Sequence, residues 1–127
     1  MRVFKTKVFG RFARRAGVGD ATLRAAIADV ERGLVDADLG GGVIKQRVAR
    51  QGAGKSGGFR TIILFRAGLR AVFVYGFGKN ERDNIDDDEL AEFRRLATPM
   101  LSYGEAEIAR AVQSGALVEV DDDEAIP

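Results

Sequence analysis

Two strongly apolar stretches separated by Ala67-Gly68 constrain the fold of this chain more than any other feature. The stretches, Phe59 to Arg66 and Leu69 to Phe77, are rich in β-branched and aromatic residues, and the break between them predicts a β-hairpin. Both faces of the hairpin are largely apolar, which predicts a central place in a sheet that is covered on each side. A two-residue turn would place Arg60 opposite Tyr75.

The remaining segments predict an α+β fold. Leu23, Ala26, Ile27, Val30 and Leu34 recur at helical spacing after Asp20, a suitable N-cap. We expect a small antiparallel sheet of about four to five strands with two N-terminal helices and the C-terminal helices packed on it. Strands are expected at Arg2–Val8, Val43–Ala49 and Ala116–Val120. Helices are expected at Phe9–Ala16, after Asp20, after the acidic turn Asp86–Glu89 with a break near Pro99, and from the Ser102–Glu105 capping pattern to about Ser114.

Length and composition bound the class of protein. A chain of 127 residues predicts one domain over residues 1–120, followed by an acidic tail over residues 121–127. It has neither Cys nor His, which excludes disulfides, thiol nucleophiles and Cys/His zinc sites. No apolar run approaches the roughly 20 residues of a membrane span, and the N-terminus lacks a secretory pattern, so we expect a cytoplasmic protein.

Charge is divided unequally along the chain. The residues up to Arg82 include 17 Lys and Arg but 6 Asp and Glu, a net charge of +11, whereas the remainder carries −10. Such asymmetry favours an anionic partner such as nucleic acid for the basic part. The alternative is that the acidic part simply neutralises the basic part.

A glycine-rich loop precedes the hairpin, and Gly54-Lys55-Ser56 within it resembles the end of a P-loop. The full P-loop pattern needs Gly at the position of Ala49, and the loop leads into a strand where a P-loop leads into a helix. An NTPase is therefore not predicted. Gly57 and Gly58 would instead let the backbone approach a phosphate.

The hairpin brings the glycine-rich loop and the end of its second strand to the same edge of the sheet. Lys55, Arg60, Lys79 and Arg82 would therefore meet there, with Glu81 paired to Lys79 or Arg82. Repelling cations that converge in this way indicate a binding or catalytic site for an anion. Phe77 is expected in the core, whereas Tyr75 could stack on an RNA base.

These residues resemble a known family. The order of elements is similar to that of the RelE/ParE superfamily of type II toxins, and two motifs resemble its HigB/RelE-like branch. The motifs are Gly54-Lys-Ser-Gly-Gly-Phe-Arg60 and Tyr75-Gly-Phe-Gly-Lys-Asn-Glu-Arg-Asp-Asn-Ile85. The resemblance implies a ribosome-dependent mRNA endonuclease without metal or cofactor, neutralised by a cognate antitoxin, a helix-turn-helix DNA-binding protein.

The resemblance also implies roles for individual residues. Lys55 and Lys79 would take the 2′-OH proton or stabilise the phosphorane, and Arg60 and Arg82 would clamp the scissile phosphate. An ordinary lysine, with a pKa of about 10.4, is a poor base at neutral pH, so a base role requires a lowered pKa. The resemblance does not indicate which residue acts as the general acid. Residues that would bind flanking RNA are Lys45, Arg47, Arg50 and Tyr75.

Two other functions stay open within the same fold. A ParE-like toxin would inhibit DNA gyrase and would have no catalytic task for the basic cluster. A non-catalytic member would bind only RNA or its antitoxin. Fold alone does not separate these functions.

Overall fold

The computed structural model describes residues 1–50 and 54–121, which form four helices and one six-stranded sheet. The α+β class is as predicted. In chain order the elements are β1 (Arg2–Thr6), α1 (Lys7–Ala16), α2 (Asp20–Glu31), β2 (Ala37–Gly40), β3 (Val43–Arg50), β4 (Gly54–Arg66), β5 (Arg70–Gly78), α3 (Asp87–Ser102), α4 (Glu105–Ser114) and β6 (Leu117–Glu119).

The sheet has the strand order β2-β3-β4-β5-β1-β6, and β1 runs parallel to β5 while the other described neighbours are antiparallel. The expected antiparallel sheet of four or five strands is therefore wrong in strand count and in direction. Residues Ala37–Gly40 have a sequence that is typical of a turn, but in the structure they form an additional edge strand, β2. Two helices and three strands separate β1 from β5, and a parallel pair requires such a long connection.

The central hairpin, β4 and β5, is confirmed, but its register differs from the prediction. Its turn has three residues, with Gly68 at φ +75°, and β5 contains an irregularity opposite Ile62 and Ile63. Ala is a poor first residue for the tight two-residue turn, so the longer turn with Gly in the left-handed region is favoured. As a result Arg60 pairs with Phe77, and Tyr75 pairs with Ile62.

Each face of the hairpin is covered by helices, as the apolar sequence of both faces predicts. Helices α1 and α2 cover one face, where Phe9, Leu23, Ile63 and Phe73 are buried. Helices α3 and α4 cover the other face over a second core with the members Phe4, Val43, Ile62, Leu64, Val72, Val74, Ala97, Leu101, Ile108 and Leu117. Fully burying one such large side chain stabilises the fold by about 1.5–3 kcal/mol.

Helix boundaries follow side-chain hydrogen bonds that the sequence pattern only partly indicates. Helix α1 begins two residues earlier than expected because Thr6 Oγ1 accepts a hydrogen bond from the Phe9 N–H. Gly19, not Asp20, is the N-cap of α2, and Leu34 lies beyond that helix with 57% of its surface exposed. Helix α3 continues through Pro99 without the expected break. No helix among the described residues is both long and apolar enough to cross a membrane.

Gly58 allows β4 to approach β3 closely. A Cβ atom at this position would lie 2.0 Å from the carbonyl oxygen of Val48, so no other residue fits without moving a strand. Gly58 is also buried. Its missing side chain therefore serves the contact between strands, not the approach to a phosphate that the glycine-rich sequence predicts.

Candidate functional site

Three adjacent strands place polar and aromatic side chains on the sheet face that α3 covers. Arg47, Arg60 and Phe77 are cross-strand partners in one row, and Lys45, Ile62 and Tyr75 form the next row. Directly paired residues share a face, and Ile62 belongs to the core under α3 and α4. We call this end of the sheet the cationic face, defined by Lys45, Arg47, Arg60, Tyr75, Phe77 and Arg82.

Arg60 is the half-buried centre of the cationic face. Its Nη1 atom is shielded from solvent and has no hydrogen-bond acceptor in residues 1–50 and 54–121. A buried donor without an acceptor costs about 1–3 kcal/mol, and more when the group is charged. The nearest cross-strand neighbour on β3 is another cation, Arg47, which is exposed. This arrangement favours an anion as the ligand of Arg60.

Arg82 lies above the aromatic end of β5. Its guanidinium carbon is 5.7 Å from the centre of the Phe77 ring and 5.8 Å from that of Tyr75. Arg82 therefore shares an aromatic neighbour, Phe77, with Arg60. As predicted, Phe77 is a core residue, only 2% exposed.

Four hydrogen bonds hold the Arg82 guanidinium. Nε donates to the carbonyl of Asn84 at 2.9 Å, Nη1 donates to the Tyr75 hydroxyl and to Glu89 Oε2, both at 3.0 Å, and Nη2 donates to Glu89 Oε1 at 2.6 Å. The hydrogen bonds with Glu89 and then Tyr75 raise the pKa of Arg82. The same bond from Arg82, together with one from the Asp86 N–H, lowers the pKa of Glu89. Both groups are therefore charged at neutral pH.

The turn after β5 is fixed by a different contact from the one expected. Glu81 Oε1 accepts a hydrogen bond from the Gly78 N–H at 2.7 Å, so the predicted pairing of Glu81 with Lys79 or Arg82 is wrong. The Gly78 N–H lies in the same turn and is closer to the Glu81 carboxylate than the Lys79 or Arg82 side chain is. Lys79 is exposed and makes no hydrogen bond or ion pair with the described residues.

The structure brings together part of the predicted site. Arg82 donates to Tyr75 and lies over Phe77, the cross-strand partner of Arg60, and Lys45 Nζ donates to Asn84 Oδ1 at 3.4 Å. Tyr75 is half-buried against Phe77 and Phe93 and bonded to Arg82, so it is not the freely exposed ring that stacking would favour. The side chains of Lys55 and Arg50 lie outside the described residues.

Sequence reasoning missed the role of Glu89. Its position in an acidic first turn predicts helix capping, and it does cap α3: Asp86 Oδ1 accepts from the Glu89 N–H, and Glu89 Oε1 accepts from the Asp86 N–H. The same side chain reaches back to Arg82. Arg82 and Glu89 are seven residues apart, and a loop lies between them. No periodic pattern in the sequence could therefore reveal that they pair.

A recess adjoins the cationic face beside helix α1. Past Phe73 the free edge of β5 is covered by α1, and a cavity of about 240 Å³ opens between them. Its wall includes Gly76, Phe12 and Arg82. Arg11 and Arg15, both exposed, lie at its rim, which extends the positive charge from the sheet onto α1.

The fold and this site define a small α+β protein with a half-buried arginine site at one end of its sheet. The family model described as the RelE toxin of the RelE/RelB toxin–antitoxin system matches residues 1–120. The chain belongs to this RelE toxin family, which implies an antitoxin as partner. No match to a curated protein was found.

Proposed function

We propose that this toxin is a ribosome-dependent mRNA endonuclease of the HigB/RelE-like branch, which cuts RNA without a metal. The observation that carries the proposal is the half-buried Arg60, which has a shielded Nη1 without an acceptor among the described residues and stands directly opposite Arg47. Two guanidinium groups in one cross-strand pair fit the two unesterified oxygens of a phosphodiester.

RNA fits the cationic face better than an isolated small anion does. Arg82 donates a hydrogen bond to the half-buried Tyr75, and Arg60 lies in the next cross-strand row, so positive charge and a partly exposed ring occur together. Single-stranded RNA requires both features, since cations hold its backbone and rings contact its bases. Lys45, Arg47, Arg50 and Tyr75 are proposed to hold the nucleotides next to the scissile phosphate.

The proposed reaction is an internal transfer of the phosphoryl group. The 2′-oxygen attacks the neighbouring phosphorus as its proton leaves to a base, and the bond from phosphorus to the 5′-oxygen breaks. The 5′-oxygen takes a proton from an acid, so the products end in a 2′,3′-cyclic phosphate and a 5′-hydroxyl. Arg60 and Arg82 would stabilise the phosphorane, as preorganised donors do where charge develops. Lys55 and Lys79 are proposed for proton transfer.

Growth after induced expression tests the proposal. The wild-type chain should arrest growth, and Arg60→Ala or Lys79→Ala should relieve the arrest. Arg95→Ala is a matched control because Arg95 is exposed on α3 and paired with Glu92, away from the cationic face. Arrest that persists in both site variants would contradict the proposal. Arrest with intact mRNA and stalled replication would instead indicate gyrase inhibition.

The antitoxin is proposed to be a helix-turn-helix protein that covers the cationic face. If charge drives this contact, the affinity should fall as salt rises, because screening weakens exposed charge pairs. Affinity that does not change between about 50 and 500 mM salt, a range over which the screening length falls severalfold, would exclude electrostatic masking.

A further inference from the structure

Glu89 binds the guanidinium of Arg82, the group that is proposed to bind the substrate phosphate. Both of its carboxylate oxygens accept hydrogen bonds from Arg82, at 2.6 and 3.0 Å, in the two-pronged geometry that arginine also uses for phosphate. With the bonds to Tyr75 and Asn84, four of the five guanidinium N–H groups have acceptors within the protein. Arg82 is therefore already bound to an anion, unlike Arg60.

The pair is neither fully buried nor freely exposed. The side chains of Arg82 and Glu89 are 31% and 32% exposed, so an incoming anion can reach them from solvent. Exposed ion pairs are weak because water and salt compete for both partners. A phosphate, which offers more acceptor oxygens and is positioned by Arg60 as well, can therefore compete with the carboxylate.

We propose that Glu89 is an intramolecular competitor of the substrate phosphate and sets the affinity of the site through Arg82. This inference rests on the proposed function, since it assumes that RNA binds at the cationic face. Glu89 acts through Arg82 and is not itself a catalytic residue. Binding of a phosphate exchanges the Glu89 carboxylate for a phosphate oxygen on at least one guanidinium nitrogen.

Helix α3 takes part in this exchange. Glu89 Oε1 accepts from the Asp86 N–H at 2.9 Å as well as from Arg82, so one oxygen joins the start of α3 to the site. When Arg82 turns to a phosphate, Glu89 keeps its capping bond. The carboxylate then loses its hydrogen bonds from Arg82, and this loss lowers the net affinity for RNA.

The test compares Glu89→Gln with Glu92→Gln. Glutamine is also favoured at the third position of a helix, so Glu89→Gln keeps the capping bond while it removes the charge. Glu92→Gln removes the same charge from the same helix, where Glu92 is exposed and pairs with Arg95. The probe is a fluorescent 2′-O-methyl RNA of about twelve nucleotides, which lacks the attacking hydroxyl and is long enough to span a single-strand site. Binding is measured by anisotropy at several salt concentrations.

The expected result is that Glu89→Gln binds the probe several-fold more tightly than wild type, while Glu92→Gln changes the affinity by less than about twofold, because Glu92 is more exposed and its charge is already paired with Arg95. The slope of log K against log salt should also become steeper by roughly 0.7, the value for one further phosphate contact on a single strand. A purely structural role would not change this slope. In an Arg82→Ala background the gain from Glu89→Gln should vanish.

Two outcomes in the glutamine variants would overturn the inference. Equal affinity and slope in the two glutamine variants would show that Glu89 does not compete, and weaker binding by Glu89→Gln would show that it instead prepares Arg82 for RNA. In either case binding that is lost in Arg60→Ala leaves the proposed function standing. Probe binding that is unchanged in Arg60→Ala would overturn the proposed site and this inference together, whereas probe binding that is absent would overturn this inference but not a cleavage that requires the ribosome.

Discussion

Arg47 and Arg60 stand directly opposite each other on β3 and β4, so one cross-strand pair of the sheet holds two cations. Opposed like charges destabilise a sheet by a fraction of a kcal/mol, up to about 1 kcal/mol. The shielded Nη1 of Arg60 adds a further cost, since it has no acceptor among the described residues. Unfavourable contacts of this kind persist where function requires them.

Arg60→Met should therefore stabilise the fold and remove the activity. Methionine keeps much of the apolar stem and removes both the unpaired donor and the repulsion, so the free energy of unfolding should rise by about 1 kcal/mol. Denaturation in urea measures the change, and RNA binding by the same variant should fall at least tenfold. A variant that is less stable than wild type would show that Arg60 is kept for the fold and not for a ligand.

Gly76→Ala should disturb the recess and helix α1. A Cβ atom at Gly76 would lie 2.3 Å from the ring of Phe12, so α1 must shift, at a cost of about 1–3 kcal/mol for an overpacked core. Gly10→Ala is the control because a Cβ atom there would meet only Arg14 Nη1, at an ordinary contact distance of 3.8 Å. Thermal denaturation should show that Phe12→Leu rescues Gly76→Ala in part. Full additivity of the two changes would contradict this contact.

Stability should be nearly constant from about pH 8 to pH 5 and should fall below about pH 4, because the chain has no histidine and several carboxylates are held ionised. Burial opposes the ionisation of Asp20, but hydrogen bonds from Lys5 and from the Asp121 N–H outweigh it and lower the pKa. A group with a lowered pKa in the folded state stabilises the fold above its unfolded pKa. That contribution is lost as the pH falls through the folded pKa.

Asp20→Asn isolates this contribution. The Lys5–Asp20 pair is 2.7 Å long, with side chains that are 17% and 19% exposed, so the variant should lose stability at pH 7 and less at pH 3. Asp83→Asn is the control, since Asp83 is exposed and has no hydrogen bond within the described part of the chain. Equal losses for Asp20→Asn at both pH values would show that its charge is not the cause.

The sequence was sufficient for those features that depend on local pattern. The two apolar stretches on either side of Ala67-Gly68 predicted a central hairpin, and the period of Leu23, Ala26 and Ile27 predicted α2. The excess of positive charge over the residues up to Arg82 is also visible in the sequence, and the anion site inferred from it stays a prediction. Each of these follows from residues that are close together in the chain.

Features that depend on long-range pairing could not be predicted. The parallel contact of β1 with β5 and the pairing of Arg60 with Phe77 depend on turn length and on an irregular residue in β5. The bond from Arg82 to Glu89 crosses the loop between β5 and α3, and its geometry depends on where α3 begins. Such contacts are fixed by the packing of whole elements.

The most direct test of the central claim maps the ends of mRNA in a reconstituted translation reaction. The wild-type toxin should produce cuts inside translated codons, with 2′,3′-cyclic phosphate and 5′-hydroxyl ends, only when ribosomes are present. Arg60→Ala should produce no such ends, and Arg95→Ala should produce them like wild type. Intact mRNA with the wild-type toxin, or the same cuts with Arg60→Ala, would contradict the claim that this cationic face cleaves RNA.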